Sequence, residues 1–275
     1  MTVLPADDVH LSGPPSRTRA TIAISVVIPT LDEARNLPAT LDTIRWADEI
    51  IVADAGSTDS TVQIAEDAGA HVLRVPRTTI GAQRNAAISI ARNRWILALD
   101  ADERVSPELR NSLAQLCDGH VAEHSAFRVR SQNWHLGREL RHGPWGRDWK
   151  VRVFSRDRRF SDARVHENLT SLDDVGVLDG TLLHRPYRDL SHHVMKVARY
   201  ASLAAEDLRS RGRRATPLDL TVRPFWRFVR DYLIYGGWRD GRAGFIVAAV
   251  SAFSVFCKYA CLSIGVRDTG IVTRD

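Results

Sequence analysis

The chain has 275 residues, is 44% hydrophobic, and carries a net charge of +5 with only three cysteines. Its length and apolar content allow one large α/β domain, with or without a smaller C-terminal appendage. Residues 1–21 contain no apolar run of signal-peptide kind, and Cys117, Cys257 and Cys261 form no metal-like pairing, so the chain reads as unsecreted, with free buried thiols and a disordered leader over residues 1–21.

Residues 22–28 form an apolar, β-branched run closed by Pro29, which predicts a strand, and residues 33–44 read as a helix. The next strand is expected over 49–53. A helix capped by Thr58 or Asp59 follows to Ala68 and ends at Gly69, before a strand over 71–75. A helix over 81–92, a strand over 95–99 and a helix capped by Ser106 with Pro107 at its first position complete the regular half. Repeated strand-helix units predict a parallel sheet covered on both faces, with ligands gathering at the carboxyl ends of its strands. Beyond Cys117 the pattern fades into a Trp-, His-, Arg- and Gly-rich segment over 134–169, and helices are expected again over 192–211 and 224–235.

The strand ends carry acids. Pro29, Thr30, Asp32 and Glu33 follow the first strand, Asp54 to Asp59 the second, and Asp100-Ala101-Asp102 the fourth. Crowding carboxylates in one cleft costs repulsion and desolvation, which a divalent cation and the hydroxyl or N–H donors of a nucleotide would relieve. Alternate acids at a strand end suit Mn²⁺ or Mg²⁺, so Asp100 and Asp102 are the metal candidates. Ser57, Thr58 and Asp59 read better as turn and cap residues, Asp54 as a ligand. No Gly-x-Gly-x-x-Gly follows the first strand, which argues against a dinucleotide oxidoreductase.

The order Val27-Ile28-Pro29-Thr30-Leu31-Asp32-Glu33, Asp54 to Asp59, Gly81-Ala82-Gln83-Arg84-Asn85 and Asp100-Ala101-Asp102 resembles family 2 glycosyltransferases. The resemblance implies a GT-A (Rossmann-like) nucleotide-diphospho-sugar transferase fold over residues 22–190. It also implies that Glu33 and Asp54, beside Pro29 and Thr30, contact base and ribose. By the same resemblance Asp100 meets ribose or diphosphate, Asp102 the metal, and Arg84 the donor sugar or diphosphate. Where many relatives read Asp-Gly-Ser, this chain has Asp54-Ala55-Gly56. Further along, Leu136-Gly137-Arg138, Gly143-Pro144-Trp145, Val151-Arg152-Val153-Phe154, Val165-His166-Glu167, Leu183-His184, Arg199-Tyr200 and Gly237 to Gly241 resemble the branch containing lipopolysaccharide core glucosyltransferases.

Inverting transfer needs a base for the acceptor hydroxyl. Glu167 is the first candidate, with His166 to orient it, and Asp148 the second. Pairing with a nearby arginine is the competing role for Glu167. Trp134, Trp145 and Trp149 offer aromatic faces to a sugar beside arginines that can grip phosphate, with Trp145 and Trp149 the candidate acceptor platforms and packing of the loop as the alternative. His184 is a candidate ligand or orienter.

Residues 191–275 are expected to form a helical membrane-proximal or oligomerising region. Within it, the charge-free run from Gly244 falls short of the ~20 residues of a spanning helix before Lys258 interrupts it. Arg223, Arg227 and Arg230 recur at helical spacing opposite Val222, Trp226, Val229 and Leu233, the pattern of a helix lying in a lipid interface. The expectation is therefore a metal-dependent transferase, peripheral on the cytoplasmic face of a membrane, using a nucleotide sugar and a cell-envelope glycan or lipid-linked acceptor. Polyprenyl-phosphate glycosyl transfer and a non-catalytic nucleotide-sugar scaffold are the rival readings. No nucleic-acid-reading motif accompanies the arginines.

Overall fold

The computed structural model describes residues 21–121, 124–161, 169–170 and 174–264. The first half alternates as β1 (Ile22–Thr30), α1 (Leu37–Ile44), β2 (Ala47–Asp54), α2 (Thr61–Asp67), β3 (His71–Arg74), α3 (Ile80–Ile90), β4 (Trp95–Ala98), β5 (Glu103–Val105) and α4 (Pro107–Cys117). β1 is central: Ile24, Val26, Val27 and Ile28 are all fully buried, as a strand covered on both faces requires. Ser106 caps α4, its Oγ accepting from the Leu109 N–H at 3.2 Å.

α1 starts at Leu37 rather than at residue 33, for a local reason. The N–H groups of Asp32, Glu33 and Ala34 donate to Ser57 Oγ, Thr61 Oγ1 and Asp59 Oδ2 at 2.9, 2.8 and 3.0 Å, so this stretch is held as a loop against the loop after β2. Asp32, at φ 56°, is left-handed there.

The irregular half also contains long strands. β6 (Ala126–His135), β7 (Arg138–Glu139), β8 (Trp149–Ser155) and β9 (Val175–His184) join the sheet. Among the described residues the order is β3-β2-β1-β4-β8-β6-β9-β5, with β7 on β6. The β3-β2-β1-β4 part is parallel as expected, but β4–β8, β8–β6 and β9–β5 are antiparallel, so the sheet is mixed rather than wholly parallel. The register pairs Glu103 with His184 and Asn133 with His184, bringing three distant segments to one edge.

Three long helices follow: α5 (Leu190–Ser210), α6 (Pro217–Val229) and α7 (Gly241–Ile264). α6 begins well before residue 224, because Thr216 and Asp219 form a capping box with Pro217 in the first turn; Pro224 lies inside the helix. α7 runs unbroken through Lys258, so Gly237–Ile264 is long and apolar enough to cross a membrane by length and composition. It also packs on protein: Tyr259 and Leu262 cluster with Ala205 of α5, and Arg209 Nη2 donates to the Cys261 carbonyl at 3.0 Å. At its start Gly244 lies against the Gly237 carbonyl, which a Cβ would meet at 1.9 Å. The helices are tied to the segment before Trp145: the His142 N–H and Nδ1 meet Asp240 at 2.8 Å each, and the Gly143 N–H donates to the Tyr235 carbonyl at 2.9 Å.

Candidate active site

The strand ends converge as the sequence predicts, but the carboxylates divide into two kinds. Asp54 is 2% exposed, and its oxygens accept from the N–H groups of Gly56 and Ser57 at 3.0 Å each, from Thr30 Oγ1 at 3.3 Å and from Ser57 Oγ. Its acceptor capacity is filled by its own loop, so a ribose or base would compete with Ser57 and Thr30 for it. Asp32 and Asp59 likewise bind the facing loop, Asp32 Oδ1 taking the Thr58 N–H at 2.7 Å. Glu33 faces the cleft instead, steadied by Asn36 Nδ2 at 2.8 Å. Burial above all raises its carboxyl from the ordinary range; the Asn36 bond and Lys196 oppose this, while Asp102 and Asp100 add to it.

Asp100 is held by two arginines. Arg84 Nη2 binds Oδ1, and Arg152 Nη2 donates to Oδ2 at 2.5 Å and to Glu103 Oε1 at 2.7 Å. Glu103, fully buried, also takes Lys150 Nζ at 3.2 Å and the Asp100 N–H at 3.1 Å. Burial alone would raise the Asp100 carboxyl, but Arg152, Arg84 and Lys150 together hold it well below the usual range. Each Asp100 oxygen thus carries a guanidinium bond, which anchors the carboxylate, and a metal ion there would share those oxygens with Arg84 and Arg152. The sequence assigns no role to Lys150, Arg152 or Glu103; Arg152 lies in the Val151-Arg152-Val153-Phe154 motif, and the two-residue alternation over 149–155 places Lys150 and Arg152 on one side of a strand.

Asp102 has His184 as neighbour, with Nε2 3.6 Å from Oδ1. His184 Nδ1 lies 2.7 Å from Asn133 Oδ1, and the Asn133 amide nitrogen donates to the Trp145 carbonyl at 2.8 Å and to Asp148 Oδ2 at 3.3 Å. Those two acceptors fix the amide's orientation, so its oxygen faces His184 and Nδ1 donates. In neutral imidazole, Nε2 then presents its lone pair towards Asp102. Asp148, 32% exposed at its side chain, also stands 3.6 Å from Lys150 Nζ. One polar chain therefore runs from Asp102 through His184, Asn133, Asp148 and Lys150 to Glu103, Arg152, Asp100 and Arg84.

Trp145 is half-buried among His135, Tyr187 and His193, with ring centroids 5.8, 5.9 and 5.8 Å away. Tyr187 stacks on His193 at 3.9 Å. Burial, then His135 and its other neighbours, pushes His193 down to about 4, and burial followed by Tyr200 and Asp102 pushes Tyr187 up to about 12, so both are neutral at pH 7. Trp145 thus packs α5 onto the end of β6. Trp149 is 46% exposed, with the Arg128 guanidinium 5.4 Å from its ring. Glu167 and His166 lie outside the described residues. Asn85 pins the segment that leads towards them, exchanging two hydrogen bonds with the Phe160 backbone at 2.9 and 2.8 Å.

Among the described residues no cluster of three or more His, Cys, Asp or Glu side chains is arranged as a metal site. Asp102 and His184 are spaced as two ligands of one ion can be, leaving the remaining positions to diphosphate oxygens and water.

Residues 25–170 match the family model described as Glycosyl transferase family 2. An uncharacterized glycosyltransferase of Rickettsia prowazekii is 26% identical over 92% of this chain and 91% of its own length. A lipopolysaccharide core biosynthesis glycosyltransferase, LpsC of Rhizobium meliloti, is 27% identical over 87% and 91%. Among solved structures, S. aureus TarS in complex with UDP aligns with a TM-score of 0.47 at 16% identity, over 89% of this chain and 92% of that one.

Proposed function

This chain belongs to glycosyl transferase family 2, with the GT-A fold, and we propose that it is an inverting, metal-dependent hexosyltransferase acting on a cell-envelope glycan or lipid-linked acceptor. The observation that carries this reading is the meeting of Glu33, Asp100 and Asp102 at the carboxyl ends of the sheet, beside Arg84 and the His184–Asn133–Asp148 chain.

Glu33, with Pro29, Thr30 and the loop around Asp54, would cradle the nucleoside. Asp100, fixed between Arg84 and Arg152, would position ribose and diphosphate. Asp102 and His184 would hold Mn²⁺ or Mg²⁺. When bound, the ion would neutralise charge developing on the departing diphosphate. Deprotonation of the acceptor hydroxyl falls to Glu167 or Asp148; Asp148 has the described support, its carboxylate oriented by Asn133 and Lys150. The test is release of nucleoside diphosphate from a panel of nucleotide sugars, with Mn²⁺ or chelator and with membrane lipid extract as acceptor. Metal-dependent turnover of one donor is expected. Donor binding without turnover of any would move the scaffold reading ahead. Glu167→Gln and Asp148→Asn then assign the base: the base variant loses transfer by about a hundredfold or more while keeping donor affinity. Full transfer rate in both variants would favour polyprenyl phosphate as the acceptor.

The C-terminal helices are proposed to rest on an anionic membrane at the cytoplasmic face. Leu218, Phe225, Trp226, Leu233 and Trp238 are 66%, 69%, 54%, 56% and 56% exposed, an apolar and aromatic surface without cover. The arginines expected to form its basic face are partly engaged: Arg223 binds Asp219, and Arg227 and Arg230 bind Asp231 at 2.5 and 2.9 Å. Arg239 and Arg242 are exposed and without a carboxylate partner among the described residues, placing free charge beside Trp238. Wild-type protein is expected to float with phosphatidylglycerol vesicles, and Phe225→Ser/Trp226→Ser to stay behind. Equal flotation of both would reject this orientation.

A further inference from the structure

We propose that Arg104, Arg185 and Trp134 form an anion site beside Asp102 that takes a phosphate group. The three come from β5, the residue after β9, and β6, which meet at the sheet edge. Glu103 pairs with His184 and Arg104 with Leu183, so strand alternation turns Arg104 away from the side where Glu103 and His184 meet. Trp134 is turned likewise relative to Asn133.

The polar side-chain atoms of this cluster are all N–H donors, and two of them are buried without an acceptor. Arg104 Nη1 and Trp134 Nε1 are buried and neither has a hydrogen-bond partner. The Arg185 guanidinium lies 5.8 Å from the Trp134 ring centre and has no ion pair among the described residues. Its backbone N–H reaches the Asp102 carbonyl at 3.4 Å, which fixes how near the cluster is to the metal candidate.

A buried donor left unpaired loses its hydration without recompense, so two together beside a repelling pair of guanidiniums are costly unless a ligand completes them. Two guanidiniums and an indole N–H offer more donors than the two oxygens of a carboxylate use, and suit a phosphate dianion. Under the transferase reading on which this rests for its biological source, that phosphate is either carried by the acceptor or belongs to the donor's diphosphate.

The experiment compares wild type, Arg104→Ala/Arg185→Ala, Trp134→Phe and the control Arg110→Ala, an exposed arginine on α4. Thermal stability is read in inorganic phosphate against chloride at matched ionic strength, with and without UDP and Mg²⁺, and UDP affinity is titrated separately. Wild type and the control are expected to rise by about 3 °C more than the double variant, the general stabilising effect of phosphate being common to all. Trp134→Phe keeps the packing, loses one donor and should weaken the phosphate response about threefold. A response that persists in UDP-saturated protein, with UDP affinity equal in wild type and double variant, assigns the site to an acceptor phosphate. A tenfold or greater loss of UDP affinity in the double variant assigns it to the donor. Equal phosphate responses and equal UDP affinities across all four proteins overturn the site. Absence of UDP binding in wild type would count against a uridine nucleotide as donor alone, since the UDP-free arm still tests the cluster. Should the double variant not fold, Arg185→Gln at an exposed position carries the same comparison.

Discussion

Asp102→Ala is expected to lower sugar transfer about a thousandfold, on the order of 4 kcal/mol of transition-state stabilisation, while the protein stays folded. Asp102 is the member of the Asp100-Ala101-Asp102 set whose oxygens are not both taken by guanidiniums, and its Oδ1 faces His184 Nε2 at 3.6 Å. Its side chain is 17% exposed, and among the described residues its one ion-pair neighbour is His184 at 3.6 Å, so its removal breaks no short hydrogen bond shown there. The affinity for the nucleoside diphosphate of whichever donor turns over should fall in Mn²⁺ and become insensitive to chelator. Steady-state transfer with a calorimetric titration of that nucleoside diphosphate makes the check. Retained metal dependence in the variant would remove Asp102 from the ion.

Arg152→Met is expected to act on stability as much as on rate. Arg152 is 5% exposed and its guanidinium joins Asp100 to the fully buried Glu103. Methionine fills similar space but leaves Asp100 with Arg84 alone and Glu103 with Lys150 alone as bonded cations, a loss of about 3–5 kcal/mol for a broken buried pair. For a chain of this size that is a fall in Tm of roughly 6–20 °C. The sign of the pH dependence follows from the Asp100 carboxyl, which is held below its ordinary range in the wild type. A depressed carboxyl stabilises the fold above its unfolded value near 3.9, and that contribution fades as the pH falls further. In the variant Asp100 has lost one of its two guanidiniums and takes a proton more readily, so the deficit should shrink from pH 7 towards pH 4. Melting curves across that range provide the measurement; a deficit that is constant with pH would mean that lost packing, not unpaired charge, is responsible.

The Rossmann-like half was legible because its signals are local. Apolar β-branched runs, caps such as Ser106, and acids just after each strand all lie within a few residues of what they determine. The start of α1 was misplaced because the N–H groups of residues 32–34 are claimed by Ser57, Asp59 and Thr61, partners from another loop. β6, β8 and β9 were not read because they mix polar and charged residues that only the interior of the folded sheet can satisfy. Arg152 is the clearest instance: as sequence it is one arginine in an arginine-rich segment, and as structure it is a buried bridge.

By itself, then, the sequence determined the strand-helix order from β1 to α4, the presentation of Glu33, Asp54, Asp100 and Asp102 at strand ends, and the apolar character of α7. Tertiary structure decided which of those acids keeps free oxygens, that Asn133 and His184 support Asp102, and that Arg104, Arg185 and Trp134 converge. The physical reason is separation along the chain: the pairs that settle these roles, Arg152 with Glu103 and Asp100 and His184 with Asn133, lie 49, 52 and 51 positions apart. Periodicity and capping act within a few turns, whereas an ion pair between such distant residues exists only once a mixed sheet has brought their strands into register.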